Sequence, residues 1–267
     1  MKAIFKFMPV AAALALATSA YAAETEAPVW KAVSASDNST YAIKADGTLW
    51  GWGSGEEGEL AGTDVKLASV PSQMSTDTDW KAVYGARGCG FFLKENGTLW
   101  TIGSNEKGMS GVGDGLTKHT TLTQVGTDTD WECVYTSITW CYTVLAKKTD
   151  GTLWAWGSGE TFALGTGKAE NSAVPIQVGT DNDWKEASIG NDHVLALKND
   201  GSLWGWGFAA YGQLLNDETI VRVPTRLGTD TWTTVKAIDN ASYGIKADGT
   251  LWAWGDNQRN LLGLDVD

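Results

Sequence analysis

One eight-residue phrase constrains this chain more than anything else in it. Asp46-Gly47-Thr48-Leu49-Trp50-Gly51-Trp52-Gly53 returns as Asp150-Gly151-Thr152-Leu153-Trp154-Ala155-Trp156-Gly157, as Asp200-Gly201-Ser202-Leu203-Trp204-Gly205-Trp206-Gly207 and as Asp248-Gly249-Thr250-Leu251-Trp252-Ala253-Trp254-Gly255. A shorter copy, Asn96-Gly97-Thr98-Leu99-Trp100, fills the gap, so five copies stand 50, 54, 50 and 48 residues apart. A period of roughly 50 residues marks a repeat architecture, and a propeller blade fits that length best. Such repeats bury their apolar faces only against each other, which predicts one domain rather than two.

Within each repeat the pattern reads as four strands. In the first copy Lys31–Ala35 is a short strand after Trp30, and Tyr41–Ala45 alternates in the manner of a second. Asp46-Gly47 is a hairpin turn signal, because both residue types tolerate positive φ. Thr48–Trp52 forms the third strand, with Trp50 and Trp52 on one face. Val70–Met74 forms the fourth, where Pro71 suits a sheet edge. The expectation is an all-β propeller of about five four-stranded blades.

Of the 15 tryptophans, 14 obey the period. Trp30, Trp80, Trp131, Trp184 and Trp232 open the repeats; the others sit in the repeated phrase, where Ile102 replaces one. A residue demanded in every repeat is demanded by packing, so these are assigned to the core. Trp140 is the exception. It lies in a segment where repeat three is three residues longer than its siblings, counted from the opening tryptophan to the second strand. An aromatic on a loop tip is a binding candidate. Tyr135, which begins that insertion, and Phe208 and Tyr211 in a variable loop of repeat four join it as candidate partner-binding residues.

The fourth copy is the fullest: Gly190-Asn191-Asp192-His193-Val194-Leu195-Ala196-Leu197, then Asp200-Gly201, Trp206-Gly207 and Gly212-Gln213-Leu214. It resembles the repeat of the regulator of chromosome condensation family, and the resemblance extends over the whole chain after residue 22. It implies a β-propeller of four-stranded blades. The family's best-known members have seven blades, against five repeats here. The last repeat reaches Asp267 before a fourth strand, and Ala23 to Val29 sits where that strand belongs, so the expected ring closes by pairing of the N- and C-terminal segments. Functions in the family range from nucleotide exchange on a small GTPase to secreted bacterial inhibitors of β-lactamase.

Residues 1–22 form a separate object. Lys2 and Lys6 precede the apolar run Phe7–Ala17, and Ala20-Tyr21-Ala22 obeys the small-x-small cleavage rule. They are read as a secretory signal peptide, followed by one propeller domain over 23–267. The run is too short to span a membrane. That places the protein in a periplasm or outside the cell. Export disfavours a GTPase partner, and a net charge of -12 disfavours nucleic acid and anionic membranes.

Chemistry finds little framing. In an oxidising compartment Cys133 and Cys141 are candidates for a disulfide across a hairpin, with Cys89 left over. The links Thr76-Asp77-Thr78-Asp79-Trp80 and their relatives alternate aspartates as calcium loops do, but lack the glycine and the bidentate glutamate of an EF-hand. His193 is expected to be structural and His119 to be exposed; neither has metal-site neighbours at zinc spacing. No nucleophile motif is present. No catalytic residue, metal or cofactor is assigned. The sequence favours a secreted non-enzymatic scaffold presenting loops to a protein partner. A glycan-binding propeller is the alternative, and a hydrolase with an unlocated carboxylate pair comes third. Burial of the repeat tryptophans separates the first two.

Overall fold

The turn after the second strand sets the geometry of every blade. In the computed structural model, which describes residues 28–61 and 66–263, Gly47 takes φ +84°, and a side chain there would collide with the Thr78 carbonyl. Asp46 Oδ1 accepts from the Thr48 amide at 3.0 Å and its hydroxyl at 2.6 Å, and that hydroxyl receives Trp50 Nε1 at 2.8 Å. The same Asp/Asn–Thr/Ser–Trp chain recurs around Trp100, Trp154, Trp204 and Trp252. This explains the phrase: Asp-Gly makes the turn, and the hydroxyl two residues later orients the indole.

Eighteen strands result among the described residues. Blade one is β1 (Trp30–Ala35), β2 (Ser39–Lys44), β3 (Leu49–Ser54) and β4 (Leu67–Ser75); blade two is β5 (Trp80–Ala86), β6 (Cys89–Lys94), β7 (Leu99–Ser104) and β8 (Lys118–Gln124). Blade three is β9 (Trp131–Tyr135), β10 (Thr143–Lys148), β11 (Leu153–Gly157) and β12 (Ser172–Gln177). Blade four is β13 (Trp184–Ile189), β14 (His193–Lys198), β15 (Ser202–Phe208) and the first part of β16 (Ile220–Ile238). Blade five uses the rest of β16 with β17 (Ala241–Lys246) and β18 (Leu251–Gly255). Each blade is an antiparallel meander in chain order. β16 serves two blades without a break because its link, Thr229-Asp230-Thr231-Trp232, is one residue shorter than the others.

Blades are joined by tryptophans. Trp156, Trp206 and Trp254 donate their indole N–H to the carbonyls of Met109, Ala163 and Gln213, each in the preceding blade, at 2.8, 2.8 and 2.7 Å. In blade two Ile102 occupies that position and donates nothing. There Tyr41 of blade one presses its ring against Gly90 and stacks edge-on against Phe92, 5.1 Å between centroids, filling the volume the indole vacates.

The expected closure is not formed by the described residues. The Val29 carbonyl accepts from the Ala45 amide at 2.9 Å, which extends β1 within blade one rather than supplying an outer strand to blade five. β18 pairs only with β17. Among the described residues four blades therefore have four strands and the fifth has three. The signal-peptide region, the remainder of the proposed closing segment (23–27) and residues 264–267 lie outside the described residues. No helix among the described residues is long and apolar enough to cross a membrane.

Candidate functional site

The inner strands of the blades face the axis of the arc, and the turns that follow them cluster at one mouth. In blades one, four and five these turns carry Asp37-Asn38, Asn191-Asp192 and Asp239-Asn240. Blade two carries Arg87 and blade three its longer loop. That loop is internally braced: Thr139 donates its amide to Ser137 Oγ at 3.3 Å, and its carbonyl accepts from the Cys141 amide at 2.7 Å. Thr136 Oγ1 ties its base to the Gly85 carbonyl of blade two at 2.7 Å. The result is a loop that holds Trp140 out at 75% exposure.

Beneath Trp140 lies Arg87. Its guanidinium carbon is 3.9 Å from the Trp140 ring centroid and 4.8 Å from that of Tyr142. One guanidinium nitrogen, Nη1, is buried without an acceptor. A guanidinium lying over two rings is attracted to both by their electron-rich faces. A second cleft, of about 460 Å³, runs from Trp140 to Tyr211 and is bordered by Asn191, Asp239, Asp256 and Arg259. Phe208 supports Tyr211 edge-on at 5.7 Å.

Of the four candidate residues, Trp140 and Tyr211 thus line one cleft and Phe208 backs Tyr211. Tyr135 does not join them. It ends β9, packs against the core between blades three and four, and lines the wall of the central groove. Burial pushes its hydroxyl's pKa up strongly. Arg87 was missed, although it was legible as the one basic residue at a turn where three siblings place acids or asparagines.

Other expectations are corrected. Cys133 and Cys141 are free thiols, as is Cys89. Cys133 pairs with Lys147 at the far end of β10, while Cys141 precedes Thr143 at its near end. About 13 Å of strand separates those ends, against the roughly 5.5 Å between Cα atoms that a disulfide requires. His119 is buried on β8, with Nε2 3.2 Å from Ser110 Oγ. His193 is buried as expected, with Nε2 2.9 Å from Ser242 Oγ, and desolvation lowers its pKa to about 4.

The alternating aspartates of the links hold lysines. Lys94 contacts Asp77 and Asp79 at 2.7 and 3.0 Å, Lys148 contacts Asp128 and Asp130 at 2.7 and 3.1 Å, and Lys198 contacts Asp181 and Asp183 at 2.8 and 3.0 Å. Each ammonium also lies over two tryptophans, as Lys148 does over Trp131 and Trp154 at 5.0 and 4.6 Å. Burial alone would lower these lysine pKa values, but the paired carboxylates raise them on balance. Two carboxylates are pushed up, Glu59 and Asp192, both by burial. They belong to blades one and four and form no pair.

Residues 150–197 match the regulator of chromosome condensation (RCC1) repeat, and residues 30–59 and 184–213 match a second model of that repeat. The chain thus carries RCC1 repeats. Among solved structures, human WBSCR16 resembles it at 21% identity and a TM-score of 0.74, over 85% of this chain and 62% of that one. Prp20p from Saccharomyces cerevisiae resembles it at 18% identity and a TM-score of 0.75, over 88% and 60%. The same yeast protein in complex with Kap60 gives 18% and 0.73. At these identities the likeness establishes the RCC1-type propeller fold. The chain spans about three fifths of those relatives. No curated protein sequence matches it significantly.

Proposed function

We propose that this protein is an exported, non-catalytic binding scaffold that holds a protein partner on its Trp140 face. The observation that carries the reading is Trp140 itself: the one tryptophan outside the repeat, 75% exposed on a braced loop, stacked on Arg87. Tryptophan, tyrosine and arginine are the side chains that dominate binding energy at protein interfaces. Trp140, Tyr211 and Arg87 supply all three within two neighbouring clefts. Arg87, partly exposed beneath Trp140, carries the charge that suits a partner's carboxylate.

Seven of the fourteen repeat tryptophans, Trp80, Trp131, Trp156, Trp184, Trp206, Trp232 and Trp254, are buried and offer no sugar platform, which favours a protein partner over a glycan at those positions. Trp30, Trp50, Trp52, Trp100, Trp154 and Trp204 are half-buried and Trp252 is exposed. Export rests on residues 1–22 alone. The yeast relative Prp20p has binding properties toward Gsp1p and histones; a binding role is carried over from it, and its partners are not. An inhibitor-like action on an extracytoplasmic enzyme is compatible with this face.

The test is affinity capture from the envelope fraction and culture medium, comparing wild type with Trp140→Ala. The reading predicts one protein that wild type retains, the variant loses, and glycosidase treatment of the extract leaves unaffected. Retention abolished by the glycosidase would transfer the function to glycan binding.

A further inference from the structure

Of the joints between successive blades, the first is built differently from the rest. Trp156, Trp206 and Trp254 each bridge back to the preceding blade through an indole hydrogen bond, while Ile102 offers none. A second difference lies beside it. In blade four the buried Gln213 accepts the Tyr211 amide on Oε1 at 2.8 Å. Its counterpart in blade one is Glu59, only 1% exposed, whose Oε2 accepts the Glu57 amide at 2.8 Å. The bond is the same, but an acid makes it in place of an amide.

No neighbour neutralises Glu59. Burial pushes its pKa up, and the acids Glu57 in its own loop and Asp37 in the turn between β1 and β2 add to this. Tyr41 of β2 and Cys89 of β6 are the other titratable groups beside it, and burial pushes both of them up as well. β8 meets this loop at Gly58 through His119 and Thr120. There Lys118 gives its ammonium to the Glu56 carbonyl at 3.0 Å, and the His119 ring contacts Ser110 at 3.2 Å. Arg87 of blade two lies over Trp140 and Tyr142. Among the described residues no lysine, arginine or histidine pairs with Glu59, and residues 62–65 contain none. A buried carboxylate without a counter-ion resists ionisation, and access of water relieves that penalty.

Two bonds cross this joint: the Gly85 amide donates to Ser34 Oγ at 2.9 Å and the Gly88 amide to Asp37 Oδ1 at 2.8 Å. The joint of blades four and five uses the same device, with the Val235 amide on Glu186 Oε1 and the Ala237 amide on Ser188 Oγ, both at 2.9 Å. We propose that the joint between blades one and two is a proton-controlled hinge, closed while Glu59 is protonated and loosened when Glu59 ionises and draws in water. A carboxyl whose folded-state pKa is raised contributes stability that is present at acid pH and is lost as pH rises through that value. The hinge bears on the candidate face. The cleft of about 330 Å³ beside Trp140 is lined by Asp37 from blade one, Arg87 from blade two and Ile138 from blade three, so loosening parts its walls. The hinge itself does not depend on what that face binds.

Glu59→Gln installs the residue that blade four already uses. Urea midpoints of wild type and variant are compared at pH 7.5, 6 and 5. The variant should have the higher midpoint at pH 7.5, and the gap should close as pH falls; the titration of His193 is common to both proteins and cancels. Hydrogen exchange at pH 7.5 locates the effect. Peptides containing Gly85 and Gly88 should exchange several-fold more slowly in the variant, while those containing Val235 and Ala237 keep their wild-type rates. Wild type alone supplies a third reading: protection of Gly85 and Gly88, corrected for the intrinsic rate at each pH, should fall from pH 5 to 7.5. A variant midpoint at or below that of wild type at pH 7.5, exchange slowed equally at both joints or at neither, or wild-type protection that does not fall with rising pH overturns the inference.

Discussion

Ser242 Oγ donates to the Gln213 carbonyl at 3.0 Å, so in its 2.9 Å contact with His193 it is the acceptor. His193 therefore carries its proton on Nε2 and leaves Nδ1 as a buried acceptor without a partner. The three residues stitch blade four to blade five around an imidazole that burial keeps neutral.

A pH dependence follows. The folded-state pKa of His193 lies at about 4, below its usual 6.5, because burial disfavours the cation. Between those values the unfolded chain takes up a proton that the folded chain refuses. Stability is therefore full above pH 6.5 and declines as pH falls toward 4, by about 3 kcal/mol in all. Denaturant melts at pH 7, 5.5 and 4.5 should show the decline, and His193→Gln should flatten it. Further loss below pH 4 is expected from Asp46, Asp150, Asp200 and Asp248, whose hydroxyl and amide donors hold their pKa values below the usual carboxylate value.

Trp206→Phe keeps an aromatic ring between blades three and four but strands the Ala163 carbonyl in the core. An unsatisfied buried acceptor costs about 1–3 kcal/mol. The midpoint of guanidinium unfolding should drop accordingly. Ile102 offers the converse case: Ile102→Trp should also destabilise, because Tyr41 already fills the space beside Gly90.

Lys148→Met should cost about 1 kcal/mol, since Asp128 and Asp130 are nearly half exposed and water screens the pair. Calcium should leave the thermal midpoint of the wild type unchanged, because the link aspartates already hold ammonium groups. Calorimetry with and without added calcium checks both statements.

The repeat, the hairpins and the exposed Trp140 could be read directly, because packing that recurs in every blade leaves a period in the sequence. The assignment of all fourteen repeat tryptophans to the core held for seven, while Trp30, Trp50, Trp52, Trp100, Trp154 and Trp204 are only half-buried and Trp252 is exposed. What failed was information that belongs to single positions. Tyr135 and Trp140 share one insertion, but strand alternation turns the first to the core side and only the loop tip reaches water. Cys133 and Cys141 are eight residues apart, yet β10 folds back past one of them and carries the other to its opposite end. His119 stands in a run that reads as a loop, yet it is the second residue of β8 and its ring is buried. Arg87 was hidden because a lone arginine has no period; its meaning appears only when the four sibling turns are set beside it.

Trp140→Ala is the variant on which the account turns. The most direct measurement is the equilibrium affinity of the captured partner for wild type and for this variant, with thermal melts of both. Loss of an interface anchor of this type predicts an affinity drop of roughly 30-fold or more, about 2 kcal/mol or greater, with an unchanged melting temperature. Affinities within about twofold of each other would place the partner elsewhere on the arc and contradict the assignment of this face.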